Sequence, residues 1–419
     1  MLKAGTDQPT ILHKHNSDKQ PISIPDNATH VCFGESFLEY GDSFNSTIPP
    51  NCIPPSVTHL QFGYQFNQTL MPGTIPDSVT LIKFGHGFNQ PLMPGSIPSS
   101  VTYLKLGFCY DQPLSTAVLP ASIIKLKFRS KYSCTLAPGS LPNSIETIIG
   151  LPQFKIAIPN SVTQLNIGRR FNSTIPVGAI PNSVTGLVIG ESFNQPISRG
   201  AIPNSVKYLT FGVLFNQRID PGVIPASVID IQFGPRFNQP LVAGVIPPHT
   251  KYLRFGTDWN QVITPDIIPP SVTHIKLGQQ FNQHVDLKSW APSVTHLILG
   301  YLFHCDDYPQ FFSKNTLESV LSSVSNIHLQ MEDELYALVN IRAIDKDVVF
   351  VLNENLEGGF LSLPRLLSLA KQEGSIYCHV ANKRIQTYDD EDDEDDAEGA
   401  DNNNDHYDLE EYDNDNIEL

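Results

Sequence analysis

Lys83, Lys105 and Lys127 recur at intervals of 22 residues. Two positions before them stand Leu81, Tyr103 and Lys125, and later in the chain the same two registers hold Tyr208, Tyr252, Arg254, His274 and Lys276. Cations interleaved with aromatics are groups that hold a partner rather than break a bond. Tyr and Arg are enriched where partners anchor, and ammonium groups attract acidic ones. The candidate binding residues are therefore Lys83, Tyr103, Lys105, Lys125, Lys127, Tyr208, Tyr252, Arg254, His274 and Lys276. The competing reading of the same strip is a solvated surface with no ligand. Catalytic patterns are missing from the sequence: it has no nucleophile elbow, phosphate-binding P-loop or H-E-x-x-H. Ser, His and Asp occur after position 304 without the spacing of a nucleophile and its base. His274 and His296 share a register with His59, but His59 is many units away, so no zinc site is expected. No calcium-loop pattern occurs either. The chain is expected to be no enzyme and to need no cofactor.

The elements that position these residues follow from a repeat. Aligned on an Ile-Pro pair, copies begin at Ile53, Ile75, Ile97, Leu119, Leu141, Ile158, Ile180, Ile202, Ile224, Ile246, Ile268 and Trp290. All steps are 22 residues except Leu141 to Ile158, which is 17. A period of this size is the mark of a solenoid whose coils pack only on their neighbours. In the coil from Ile53, alternation places His59 and Gln61 outside and Leu60 and Phe62 inside, a short half-buried strand. Successive strands run the same way about 4.8 Å apart, giving one parallel sheet. The glycine that ends each strand, Gly63 in this coil, implies either positive φ or close backbone approach. An aromatic column (Phe66, Phe88, Tyr110, Tyr132, Phe171 and onward) is spaced for stacking. The column after it is mostly asparagine, whose amide can satisfy backbone in the turn and the adjacent coil.

These units resemble the FNIP repeat family, with Phe88-Asn89-Gln90-Pro91 and Ile97-Pro98-Ser99-Ser100-Val101-Thr102-Tyr103-Leu104 as its two signatures. The resemblance covers about Ile24 to Phe303. It implies a solenoid similar to leucine-rich repeats, a horseshoe or right-handed coil, and no general chemistry. Many members of the family carry an N-terminal F-box; residues 1–23 are too short and polar for one.

The fold class expected is thus a β-rich repeat solenoid in four parts. Residues 1–23 form a disordered or irregular cap, 24–303 the repeats, 304–388 a small α/β capping segment, and 389–419 a disordered acidic tail. Within 304–388, helices are expected over 315–324 and 363–372 and strands over 325–330, 334–341, 348–352 and 376–380. The degraded copies between Asp111 and Phe154 are expected to bend or loosen the coil. The formal charge is −16, yet 17 of the 43 acidic residues lie in 389–419, leaving 26 acidic against 27 basic elsewhere. A near-neutral body and an acidic tail disfavour nucleic acid. No apolar run is long enough to span a membrane, and no secretory leader is visible. The six scattered cysteines read as free thiols of a reducing compartment, so a cytoplasmic location is expected. Two functions fit: a protein–protein interaction scaffold for a protein or peptide ligand, or a regulatory adaptor in turnover or signalling whose 304–388 segment recruits a second partner. The acidic tail is itself a candidate intramolecular occupant of the cationic strip.

Overall fold

The computed structural model describes residues 12–15, 22–34, 44–129, 132–154, 157–278, 280–281, 283 and 293–299. It also describes the strands at 326–330, 338–343, 348–352 and 358–362. The first half of the sheet comprises β1 (Leu12–His15), β2 (His30–Phe33), β3 (His59–Phe62), β4 (Leu81–Lys83), β5 (Tyr103–Lys105), β6 (Lys125–Lys127), β7 (Thr147–Leu151), β8 (Gln164–Ile167) and β9 (Gly186–Val188). Then come β10 (Tyr208–Thr210), β11 (Asp230–Gln232), β12 (Tyr252–Arg254), β13 (His274–Lys276), β14 (His296–Leu299), β15 (Asn326–Gln330), β16 (Leu338–Ala343), β17 (Val348–Leu352) and β18 (Gly358–Ser362).

Each coil contributes one short strand, and each strand pairs in parallel with the next in chain order, as His59↔Leu81 and Lys83↔Lys105 illustrate. A side chain therefore lies beside its counterpart 22 residues on. The inward residues of one coil, Ile53, Val57, Leu60, Phe62, Phe66 and Leu70, are all buried. Their counterparts in neighbouring coils continue the same apolar core.

Four columns tie coil to coil. The expected aromatic column stacks: Phe193–Phe215 and Phe215–Phe237 centroids are 5.9 and 6.0 Å apart, with planes within 12°. A second column at the strand ends meshes with it, Phe233 lying 4.3 Å from Phe237 and 5.5 Å from Phe255. In the asparagine column, Asn194 Oδ1 accepts from the Asn216 backbone N–H at 2.9 Å and from Gln217 Nε2 at 3.1 Å. The serine of Ile-Pro-x-Ser-Val forms a fourth column not foreseen from sequence. Ser227 Oγ donates to the Val206 carbonyl one coil back, at 2.7 Å. Where the coil reads His249-Thr250 instead, Thr250 Oγ1 donates to Val228 O at 3.3 Å.

Of the two readings of the corner glycine, close approach holds in the regular coils: a Cβ on Gly234 would overlap the Gly212 carbonyl oxygen in the preceding coil. Positive φ occurs at the irregular corners Gly34 and Gly150, at 101° and 76°, and at a different turn glycine of the regular coil, 80° at Gly222.

The irregular middle leaves the sheet continuous. β7 bulges between Ile148 and Leu151 against β8, with Gly150 at φ 76°. The five missing residues show in the aromatic column, where Phe154 meets Phe171 edge-on at 83° rather than stacking.

Both ends extend the same sheet. Within 1–23, β1 pairs in parallel with β2, so this part of the expected irregular cap is regular strand. At the other end β15 adds in parallel to β14, and β16, β17 and β18 follow antiparallel. β15, β16 and β17 overlap the three strands that the sequence places there; β18 lies in a stretch to which the sequence reading assigned no element. The helices expected at 315–324 and 363–372, the strand expected at 376–380, and the tail 389–419 lie outside the described residues.

Candidate binding face

The two outward positions of each strand make one face of the sheet. The register puts Lys83, Lys105 and Lys127 side by side on β4, β5 and β6, and Leu81, Tyr103 and Lys125 beside them. Lys125 Nζ sits 5.1 Å from the Tyr103 ring centroid, in cation–π range. Lys83, Lys125 and Lys127 are half-buried. Lys105 corrects the expectation of an exposed strip: it is 1% exposed. It stands mid-ladder, in register with Lys83 and Lys127. No Asp or Glu occurs in strands β3 to β9.

The other candidates form a second cluster. Tyr208 and Tyr252 are the most exposed of the set, at 45% and 37%. Arg254 is committed to a neighbour: its Nη1 and Nη2 donate to Asp230 Oδ1 and Oδ2 at 2.9 and 3.2 Å. Burial pushes the Asp230 carboxyl up, against the pull of Arg254. Burial, and then the Arg254 charge, pull the Lys276 ammonium down. His274 stacks on His296 at 4.1 Å and tilts against Tyr252 at 4.7 Å. Between the clusters, β7 to β9 present uncharged residues. The ten candidates thus share a face but divide into a cationic ladder on β4–β6 and a tyrosine-rich, internally paired group on β10–β13.

One further row adjoins the ladder. Tyr64, His86 and Phe108 stack at 4.4 and 4.6 Å along the rim just past the strand ends. The Arg170 guanidinium lies 5.5 Å over Phe108. Each of the three rings directly follows a corner glycine, a signal visible in the sequence but passed over there.

Among the described residues no group of three or more His, Cys, Asp or Glu is placed to hold a metal ion. No disulfide engages Cys32, Cys52, Cys109 or Cys134. No helix among the described residues is long and apolar enough to cross a membrane.

A one-strand-per-coil sheet, stacked aromatic and asparagine columns and an open outer face define a leucine-rich-repeat-like solenoid. The FNIP Repeat family matches nine overlapping or adjoining segments between residues 36 and 302, and the chain belongs to that family. Among solved structures it is similar to CroV588, described as a novel circular LRR protein, at 30% identity and a TM-score of 0.58. That match covers 74% of this chain and 51% of the other, so the chain spans about half the length of that relative. A comparison with curated proteins returned no match.

Proposed function

We propose that this FNIP-repeat protein is a non-enzymatic interaction scaffold that holds an acidic protein or peptide segment against its sheet face. The observation that carries the reading is the in-register ladder of Lys83, Lys105 and Lys127. Cations aligned on adjacent strands, with Lys125 beside them, concentrate positive potential on this part of the face, which favours an acidic ligand. The Tyr64–His86–Phe108 rim supplies flat apolar surface beside the charge. The continuation of the sheet through β15 to β18 supports one extended binding body over two separate modules.

The test is fluorescence anisotropy with a labelled deca-glutamate peptide on the full chain at low salt. Exposed ion pairs contribute about 0.5 kcal/mol each, so K83Q with K127Q weakens binding roughly fivefold. K207Q with K251Q, which removes two exposed cations just before the strands, leaves it unchanged. Absence of binding, or equal loss in both double variants, rejects the reading.

A further inference from the structure

We propose that the gap between Tyr208 and Tyr252 is a slot for one aromatic side chain of a partner, a tyrosine carried by a protein segment. The inference goes beyond the reading above: the slot begins at β10, four strands past the end of the lysine ladder on β6, and its occupancy does not depend on the ladder.

The slot is a break in a row of rings. The first outward position of β10 to β14 holds Tyr208, Asp230, Tyr252, His274 and His296, each in register with the next. From Tyr252 onward the rings follow one another at 4.7 and 4.1 Å. On the other side of Asp230 stands Tyr208. Two strand steps separate the tyrosines, about 9.6 Å. A ring seated midway lies about 4.8 Å from each, within the range of favourable offset aromatic pairs. That is close to the spacing the row already shows. Asp230 takes one place in the row with a side chain too short to bridge the rings beside it. It is also recessed between them: its side chain is 18% exposed, whereas Tyr208 and Tyr252 are 45% and 37% exposed.

The floor of the slot selects the ring. Asp230 Oδ1 and Oδ2 each accept one hydrogen bond, from Arg254 Nη1 and Nη2. A carboxylate has about four acceptor sites, so each oxygen has capacity for another donor. Burial pushes the carboxyl up against the pull of Arg254, the mark of a group short of donors from water. A ligand tyrosine entering ring-first brings its hydroxyl to that floor, where a phenylalanine brings a C–H. Two rings over a carboxylate can also cage a cation. Here Arg254 already holds Asp230, and the exposed Lys207 and Lys251 directly precede the two tyrosines. That surplus of positive charge disfavours an arginine or lysine guest.

The experiment is saturation-transfer NMR on the full chain with the neutral peptide acetyl-Gly-Ser-Tyr-Ser-Gly-amide. One side chain held between two rings binds with a Kd on the order of 1 mM. Transfer to the tyrosine ring is expected in the native chain. It is expected to fall roughly tenfold in Y208S with Y252S, which removes both walls. An equal fall is expected in D230F, which fills the gap with a ring of the chain's own and keeps the row intact if the double serine variant fails to fold. Phenylalanine in place of the peptide tyrosine weakens binding about fivefold. K83Q with K127Q leaves the transfer unchanged.

Absence of transfer in the native chain overturns the proposal, and so does native-level transfer in D230F. Equal binding of the tyrosine and phenylalanine peptides overturns the choice of tyrosine. An arginine peptide that binds as tightly makes the slot a cation cage and overturns it too. The two functional readings fail separately. If deca-glutamate binds and the tyrosine peptide does not, the ladder stands and the slot falls. The reverse result keeps the slot and rejects the ladder.

Discussion

Gly234 and Gly222 are the same residue under opposite constraints. A Cβ on Gly234 would strike the Gly212 carbonyl and the backbone around it, whereas around Gly222 only the Arg199 side chain comes near. Gly222 instead needs φ 80°. G234A is therefore expected to cost about 3 kcal/mol, since backbone of paired strands must separate. G222A is expected to cost about 1 kcal/mol, the price of a left-handed L-residue. Urea midpoints of the two variants check the order.

The asparagine column makes a second residue-scale prediction. Asn216 Oδ1 accepts from Asn238 N–H at 2.9 Å and Gln239 Nε2 at 3.0 Å. N216L strands both donors and is expected to destabilise by about 1–3 kcal/mol, while N216D keeps an acceptor and costs less. The chain already carries the aspartate form: Asp111 accepts from the backbone of Ser133 at 2.7 Å and of Cys134 at 3.1 Å. Burial pushes the Asp111 carboxyl up, but hydrogen bonds from Ser133 and Cys134 outweigh it and hold the group below its ordinary 3.8. Its contribution is complete above that value and is lost as pH falls through the lowered one.

Between elements, the His30–His59 stack couples two strands. The rings lie face to face at 4.1 Å on the paired strands β2 and β3. Each Nδ1 sits near the preceding threonine hydroxyl, at 3.0 and 2.9 Å. Burial lowers the His59 pKa, and His30 and Lys83 lower it further. A base whose folded pKa is depressed favours folding most when neutral. The stabilisation is therefore present above the ordinary 6.5 and is lost as pH falls from there through the lowered value. Thermal melts between pH 7.5 and 5.5 should show a falling Tm, and H59Q should flatten that slope. A slope unchanged by H59Q would place the titration elsewhere.

Among the described residues each strand pairs with its neighbours in chain order, so damage should stay local. Phe215 is fully buried and stacks on Phe193 and Phe237. F215A is expected to cost about 3–5 kcal/mol. Hydrogen exchange should accelerate first in β9 to β11, while β3 to β5 keep their protection, as nearest-neighbour stability in a solenoid requires. Uniform loss of protection along the sheet would mean the coils fold as a single cooperative unit.

The sequence by itself determined the coil. Every unit repeats the same apolar anchors at the same spacing, and stacking is the way each can bury them, so strand positions and parallel order follow from Leu60 and its counterparts. The aromatic and asparagine columns follow for the same reason, because residues 22 apart are neighbours once the period is known. Other features depend on how one coil settles on the next, and only the tertiary structure decided them. In the regular coils the corner glycines turned out to be matters of approach rather than of φ. Ser227 found a carbonyl one coil back. Lys105 was covered although its pattern reads as outward, and Arg254 was taken by Asp230 on the adjoining strand. Alternation tells which way a side chain leaves the strand; what it meets there is set by register and packing across coils.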